Sequence, residues 1–147
     1  MTFDPEEFMQ TSITGANDTH YVPIPEGDYV ALVDQVMPPR VTDEGRVYMH
    51  IVWNIDSDNL RKSMDRDKVT TRQTLWLDID ESGHLDRGKG KNVPLGRVRE
   101  ALGLNTADSE FKPPMMVGRP AQIRVTQRLD KDTKEIFNDV KAVTAIT

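Results

Sequence analysis

Two short segments of the sequence carry aromatic and cationic side chains at alternate positions. Arg46, Tyr48 and His50 form the first set, and Arg72 and Trp76 form the second. Aromatic rings stack on nucleobases and nearby cations neutralise phosphates, which together bind single strands without sequence preference. These five side chains are therefore the primary candidate site. The alternative is that the two rings pack beneath another part of the chain.

Alternation of this kind predicts that both segments, 46–56 and 69–79, are β-strands, because successive side chains on a strand point to opposite faces. The other face of the two segments is apolar, and it consists of Val47, Met49, Ile51, Trp53, Ile55, Val69, Leu75, Leu77 and Ile79. We expect this apolar face to form the core, with Trp53 buried and Trp76 on the outside.

Similar patterns predict strands over 28–37, 119–129 and 135–146, and a helix over about 92–102 with Asn92 as its N-cap. The apolar stripe of that helix consists of Leu95, Val98 and Leu102. Five strands with one helix between the third and fourth is the element order of the OB-fold. That fold is a partly open five-stranded barrel whose second and third strands bind oligonucleotides or sugars. A β-sandwich with an accessory helix also fits the order.

The charges divide the chain into an acidic N-terminal arm, 1–25, and an OB-fold domain, 26–147. Residues 1–28 hold six acidic and no basic residues, which leaves 19 basic and 18 acidic residues in the remainder. The formal net charge of −5 therefore comes largely from the arm, and the body can still carry a local basic stripe. The arm either occupies the nucleic-acid groove as a phosphate mimic, which is the favoured hypothesis, or docks through Phe3 and Phe8.

Other candidate residues lie outside the two central strands. Those expected to contact nucleic acid are Arg124, Arg128, Phe137, Lys89 and Lys91. Phe137 would stack on a base, the two arginines would meet phosphates, and the two lysines would lie at the edge of the site. Arg87, Arg97 and Arg99 either extend the phosphate track or form a solvated face, and the solvated face is the favoured hypothesis.

Few features point to catalysis. The chain has no cysteine, which excludes disulfides, thiolate metal sites and a cysteine nucleophile. Segment 83–90 nearly matches a phosphate-binding P-loop, but Gly90 stands where that motif needs Ser or Thr. Asp78 and Asp80 could share a magnesium ion, so a metal-dependent nuclease remains an alternative. We expect a protein that is not an enzyme and that needs no metal or cofactor.

The sequence contains no apolar run of the ~18 residues that a membrane helix needs. Its N-terminus, MTFDPEEFMQ, is acidic and lacks the basic and apolar regions of a signal peptide. These observations predict a cytoplasmic protein without a membrane partner.

Four short motifs, PEGDY at 25–29, ALGL at 101–104, MVGRP at 116–120 and FNDVKAV at 137–143, carry a family resemblance. Over roughly 22–147 the chain resembles a group of small bacteriophage proteins thought to be OB-fold single-stranded DNA-binding proteins. The resemblance implies a role in phage DNA replication, recombination or repair in the host cytoplasm, with replication or recombination proteins as partners. Many such proteins end in an acidic tail, whereas here the acidity lies near the N-terminus.

The sequence thus predicts a non-catalytic protein that binds single-stranded DNA with little sequence preference. The alternative is a protein-interaction or virion-assembly module that uses the same barrel face.

Overall fold

The computed structural model describes residues 2–108 and 110–146, and it is mainly β. The strands within those residues are β1 (Gly27–Val36), β2 (Arg40–Val41), β3 (Val47–Ile55), β4 (Thr70–Leu77), β5 (Pro120–Leu129) and β6 (Ile136–Thr144). Its helices are α1 (Pro5–Gln10), α2 (Asp58–Ser63) and α3 (Val93–Ala101). A 3₁₀ turn at Pro113–Met116 precedes β5.

The strands pair antiparallel in one sheet in the order β4, β3, β1, β5, β6. β4 and β6 approach each other, but no ladder joins them among the described residues, so the sheet is not closed. The mainly β class predicted from the sequence is therefore confirmed, and the sheet has six strands.

The additional strand, β2, follows Pro38-Pro39, where the sequence predicts that the first strand ends. Proline has no N–H to donate to a ladder, so pairing is interrupted there. Beyond the two prolines the chain pairs with β3 again, with Arg40 opposite Tyr48 and Val41 opposite Val47. β2 thereby extends the β1–β3 hairpin.

The predicted division into two faces is confirmed for β3 and β4, whereas Ile79, expected in the core, lies beyond the end of β4 and is exposed. Trp53, Ile51 and Ile123 are fully buried, and the Trp53 indole Nε1 donates a hydrogen bond of 2.9 Å to Gln73 Oε1. Trp76 remains 42% exposed on the opposite face. Because a strand has a period of two residues, a buried residue determines the phase of the whole strand.

α3 packs against β4 and β6, and Leu95, Val98 and the C-cap residue Leu102 are buried as their spacing predicts. Asn92 occupies the N-cap position, but its side chain makes no capping hydrogen bond. The predicted capping role of Asn92 is therefore wrong, and its side chain instead holds the preceding loop.

Within the described residues, the hydrogen bonds between the N-terminal arm and the body come from the last residues of the arm. His20 Nδ1 lies 2.9 Å from Glu135 Oε2, and Ile24 N donates to Asn138 Oδ1 at 2.8 Å. Ile24 is buried in the core. Phe3 and Phe8 contact each other at a ring-centroid distance of 5.7 Å and stay exposed, so they do not dock on the sheet.

Candidate nucleic-acid interface

Three antiparallel strands bring the central candidate residues into one row on the outer face. Arg40 on β2 lies opposite Tyr48 on β3, and Tyr48 lies opposite Trp76 on β4. Directly opposed residues of an antiparallel pair share a face, and their Cβ atoms are about 4.5–5.5 Å apart. The row Arg40–Tyr48–Trp76 therefore follows from strand register.

The aromatic rings of this row are in contact. The centroids of Tyr48 and Trp76 are 5.3 Å apart with their planes tilted by 55°, a spacing typical of attractive aromatic pairs. The His50 ring lies edge-on to Tyr48 at 5.1 Å. The Arg46 guanidinium carbon lies 3.9 Å from the centroid of the Trp76 ring, which is cation–π geometry. The predicted grouping of aromatic and cationic side chains on this face is thus present.

Positive charge surrounds His50 on this face. Its Nδ1 lies 3.0 Å from Thr74 Oγ1. Partial burial, and then the positive charges of Arg72 and Arg40, lower the pKa of His50 below its ordinary value. The ring is therefore neutral over a wider pH range than a free histidine.

The arginines of this face have no acidic partner. In the described ranges no carboxylate lies within 4.0 Å of the guanidinium of Arg40, Arg46 or Arg72. An unpaired surface cation attracts a phosphate without first breaking an ion pair. We call the surface formed by Arg40, Arg46, Tyr48, His50, Arg72 and Trp76 the aromatic face.

Lys91 adjoins the aromatic face. It lines a groove of about 300 Å³ together with Arg46 and Trp76. Lys89, two residues earlier, is exposed but does not line this groove. The structure therefore brings one of the two predicted loop lysines to the aromatic face.

Asn92 holds the loop that carries Lys91. Its side-chain Nδ2 donates to the carbonyl oxygens of Asp78 at 2.9 Å and Asp86 at 2.8 Å, and its Oδ1 accepts from Asp78 N at 2.8 Å. Asn92 also adopts a left-handed backbone with φ of 53°, which asparagine tolerates better than most residues. Lys91 thus directly precedes Asn92, a buried residue whose side chain makes three hydrogen bonds.

Asp78 and Asp80, the carboxylates proposed as a magnesium pair, accept hydrogen bonds from backbone N–H groups of the following loop. Asp78 Oδ2 accepts from Asn92 N at 2.9 Å, whereas Asp80 Oδ1 accepts from Ser82 N at 2.9 Å and His84 N at 3.0 Å. The Ser82 hydroxyl and these amides lower the pKa of Asp80. Among the described residues no three His, Cys, Asp or Glu side chains are grouped as a metal site.

Arg124, Arg128 and Phe137 lie apart from the aromatic face, on β5 and β6. Arg124 forms a two-pronged ion pair with Asp28 at 3.1 Å, and Arg128 pairs with Asp139 at 3.0 Å. The Arg128 guanidinium also lies 5.4 Å from the ring centroid of Phe137, which is 43% exposed.

The length of β4 indicates the distance between Phe137 and the aromatic face. Phe137 lines a groove with Thr70, the first residue of β4, whereas Trp76 is near the other end of β4. Six residues of strand span roughly 20 Å. Phe137 is therefore not part of the aromatic face.

Sequence reasoning missed Arg40 and the loop-holding role of Asn92. Arg40 belongs to a two-residue strand after two prolines, and such a strand leaves no alternation to detect. The bonds of Asn92 link segments that are 14 and 6 residues apart, and spacing alone does not reveal them.

No protein-family model matches this sequence, and comparison with curated proteins yields no match. No helix among the described residues is both long and apolar enough to cross a bilayer.

Proposed function

We propose that the aromatic face binds single-stranded DNA with little sequence preference. The observation that supports this most is the Tyr48–Trp76 pair, with its unpaired arginines on either side. Stacking on an aromatic ring is tolerant of sequence because every base has a π-face. The arginines would neutralise the phosphates that flank the stacked bases.

Arg46 has a specific part in this proposal. Its guanidinium covers one face of the Trp76 ring, at 3.9 Å. RNA-binding sites stack bases on arginine planes as well as on aromatic rings. An incoming base would stack on the Arg46 guanidinium above Trp76. Alternatively, it would take the place of Arg46 on the Trp76 ring, and Arg46 would then contact a neighbouring phosphate.

The fold supports the same proposal. The element order, with α3 between β4 and β5, is compatible with an OB-fold, and the sheet is not closed between β4 and β6 among the described residues. In that fold the ligand lies on the second and third long strands, which correspond here to β3 and β4. The aromatic face lies on those two strands and on β2.

The resemblance to bacteriophage single-stranded DNA-binding proteins extends the proposal to a biological setting. A sequence-tolerant binder would protect single strands during phage DNA replication, recombination or repair in the host cytoplasm. Such a role needs no catalysis, metal or cofactor from this chain.

A titration of tryptophan fluorescence with poly-dT tests the proposal. Trp53 is fully buried and Trp76 is 42% exposed, so quenching on binding would come from Trp76. The variant Trp76→Phe keeps a stacking ring and should bind with little fluorescence change. Duplex DNA of equal length is the control, and it should bind more weakly because its bases are already stacked. Absence of poly-dT binding at low salt contradicts the proposal.

The second candidate function is a protein-interaction or virion-assembly module on the same face. Trp, Tyr and Arg dominate the binding energy of protein interfaces, and all three occur here. A face built for a protein would leave poly-dT unbound at low salt. The same titration therefore separates the two candidates.

A further inference from the structure

A second groove continues from the aromatic face toward α3. The first groove, of about 300 Å³, is lined by Trp76, Asp86 and Lys91. The second, of about 470 Å³, runs along α3 and is also lined by Asp86 and Lys91. The two grooves therefore meet at Lys91, which directly precedes the buried Asn92.

The second groove presents exposed cations without acidic partners. Arg87 and Arg97 line it, both are exposed, and neither pairs with a carboxylate in residues 2–108 and 110–146. Arg99 differs because its guanidinium donates to the Leu104 carbonyl at 3.0 Å and covers the Phe111 ring at 4.1 Å. Arg87 and Arg97 are thus available to a ligand, whereas Arg99 has a packing role.

The carboxylates along this route are already engaged in local structure. Asp78 accepts from Asn92 N and Asp86 accepts from Gly88 N, each at 2.9 Å, while Glu100 accepts from Asn105 Nδ2 at 3.3 Å. Across both grooves the cations, Arg46, Arg87, Lys91, Arg97 and Arg99, outnumber these three carboxylates. A polyanion on this route would therefore meet a net positive surface.

We infer that a single DNA strand bound at Trp76 continues past Lys91 into the α3 groove, where Arg87 and Arg97 contact its phosphates. This inference rests on the proposed function and adds a direction to it. The strand leaves the β3–β4 sheet face toward the helix instead of crossing to β5 and β6. On that opposite course Arg124 and Arg128 are held by Asp28 and Asp139.

Oligonucleotide length makes the inference testable. A strand of about 5 nucleotides covers the aromatic face alone, and one of about 15 approaches the upper site size of an OB-fold. The double variant Arg87→Glu/Arg97→Glu should weaken binding of the longer dT oligonucleotide roughly tenfold at low salt, as two surface charge contacts allow. Its salt slope should become shallower by about 1.4, at about 0.7 per lost phosphate contact. Binding of the shorter oligonucleotide should stay unchanged.

The double variant Lys62→Glu/Arg66→Glu provides the matched control, because it also reverses two exposed charges. Lys62 lies in α2, which follows the end of β3 opposite to Arg46, and it is exposed. This double reversal should change neither oligonucleotide's affinity. Equal loss for both lengths in Arg87→Glu/Arg97→Glu would indicate a general field effect and overturn the route, as would unchanged binding of the longer oligonucleotide. If the unmodified protein binds neither length, the proposed function fails, and this inference fails with it.

Discussion

The outer faces of β3–β4 and β5–β6 carry the same kinds of side chain in different electrostatic surroundings. Arg46 lies over Trp76 with no acidic partner, whereas Arg128 lies near Phe137 and is paired with Asp139. A phosphate that approaches Arg128 must first compete with this carboxylate. An aromatic–arginine pair is therefore a good ligand site only where no acidic residue neutralises the arginine.

Among the described residues, the end of the arm hydrogen-bonds to β5–β6 and not to β3–β4. Ile24 and the residues around it dock on the β5–β6 hairpin through Glu135, Asn138 and Gln127. No described residue of the arm donates to, or accepts from, the aromatic side chains of β3 and β4. Gln127 shares the strand face of the buried Val125, so the end of the arm covers the inner side of this hairpin. Arg128 and Phe137 on its outer side stay exposed.

The largest expected effect tests the assignment of inner and outer faces. Trp53→Ala should lower the free energy of unfolding by about 3–5 kcal/mol, as large-to-small core changes do. Trp76→Ala on the outer face should cost much less, about 0.5–1.5 kcal/mol for the lost Tyr48 ring contact, measured by urea unfolding. An equally large loss in Trp76→Ala would mean that β4 presents the opposite face.

The next effect tests the docking of the arm on the β5–β6 hairpin. Deletion of residues 1–25 removes the buried Ile24 side chain, whose burial is worth about 1.5–3 kcal/mol, and should lower the melting temperature. Affinity for poly-dT should not change, because the arm docks away from the aromatic face. Deletion of residues 1–19 alone is the control and should leave stability unchanged. Tighter DNA binding by either truncated form would instead support the arm as an inhibitory phosphate mimic.

A pair of aromatic substitutions compares the two faces as DNA sites. Trp76→Ala should weaken poly-dT binding by about 1–3 kcal/mol, the usual loss for one stacking aromatic. Phe137→Ala, at a ring that is also exposed, should cost much less. Trp76→Phe should recover part of the loss since a π-face remains. If Phe137→Ala has the larger effect, the binding face is β5–β6.

Salt dependence compares the arginines of the two faces. Four phosphate contacts would give a slope of log affinity against log salt of about −3. Arg46→Gln and Arg72→Gln should each make the slope shallower by about 0.7, whereas Arg124→Gln should not. A slope change in Arg124→Gln alone would show that the Asp28 pair opens for DNA.

The smallest effect concerns His50 and pH. Since folding lowers the pKa of His50, the unfolded chain binds this proton more readily. The contribution of neutral His50 to the free energy of unfolding is complete above the ordinary histidine pKa of about 6.5. It is lost as pH falls through the lowered pKa of the folded protein. Protonation also adds a cation to the aromatic face, so poly-dT affinity should rise as pH falls over the same range. Both changes should be reduced in His50→Gln, measured by melting and titration between neutral and mildly acidic pH.

Much of the β3–β4 region was predictable because strand periodicity is a local property. The alternation from Val47 to Ile55 assigns Trp53 to the core and Tyr48 to the outer face without any knowledge of the partner strands. The same argument placed Trp76 outside. The short strand β2 was missed because two residues carry no period.

Ion pairing was not predictable in the same way, because a side chain's partner depends on register between distant segments. Arg124 and Asp28 are 96 residues apart and meet only because β5 pairs with β1 at that position. Alternation along the strands predicts that Arg124 and Arg46 both face outward and contact phosphates. Of these two arginines, only Arg124 pairs with a carboxylate on the neighbouring strand.

The sequence by itself determined which side chains face outward on each long strand, since that depends only on a two-residue repeat and the burial of its apolar half. Tertiary structure alone decided which outward cations are free, that Arg40 joins Tyr48, and that Lys91 lies between two grooves. Those features depend on strand register and on the hydrogen bonds of Asn92 to Asp78 and Asp86. Contacts of this kind join residues that the linear order keeps apart, and only folding brings them within bonding distance.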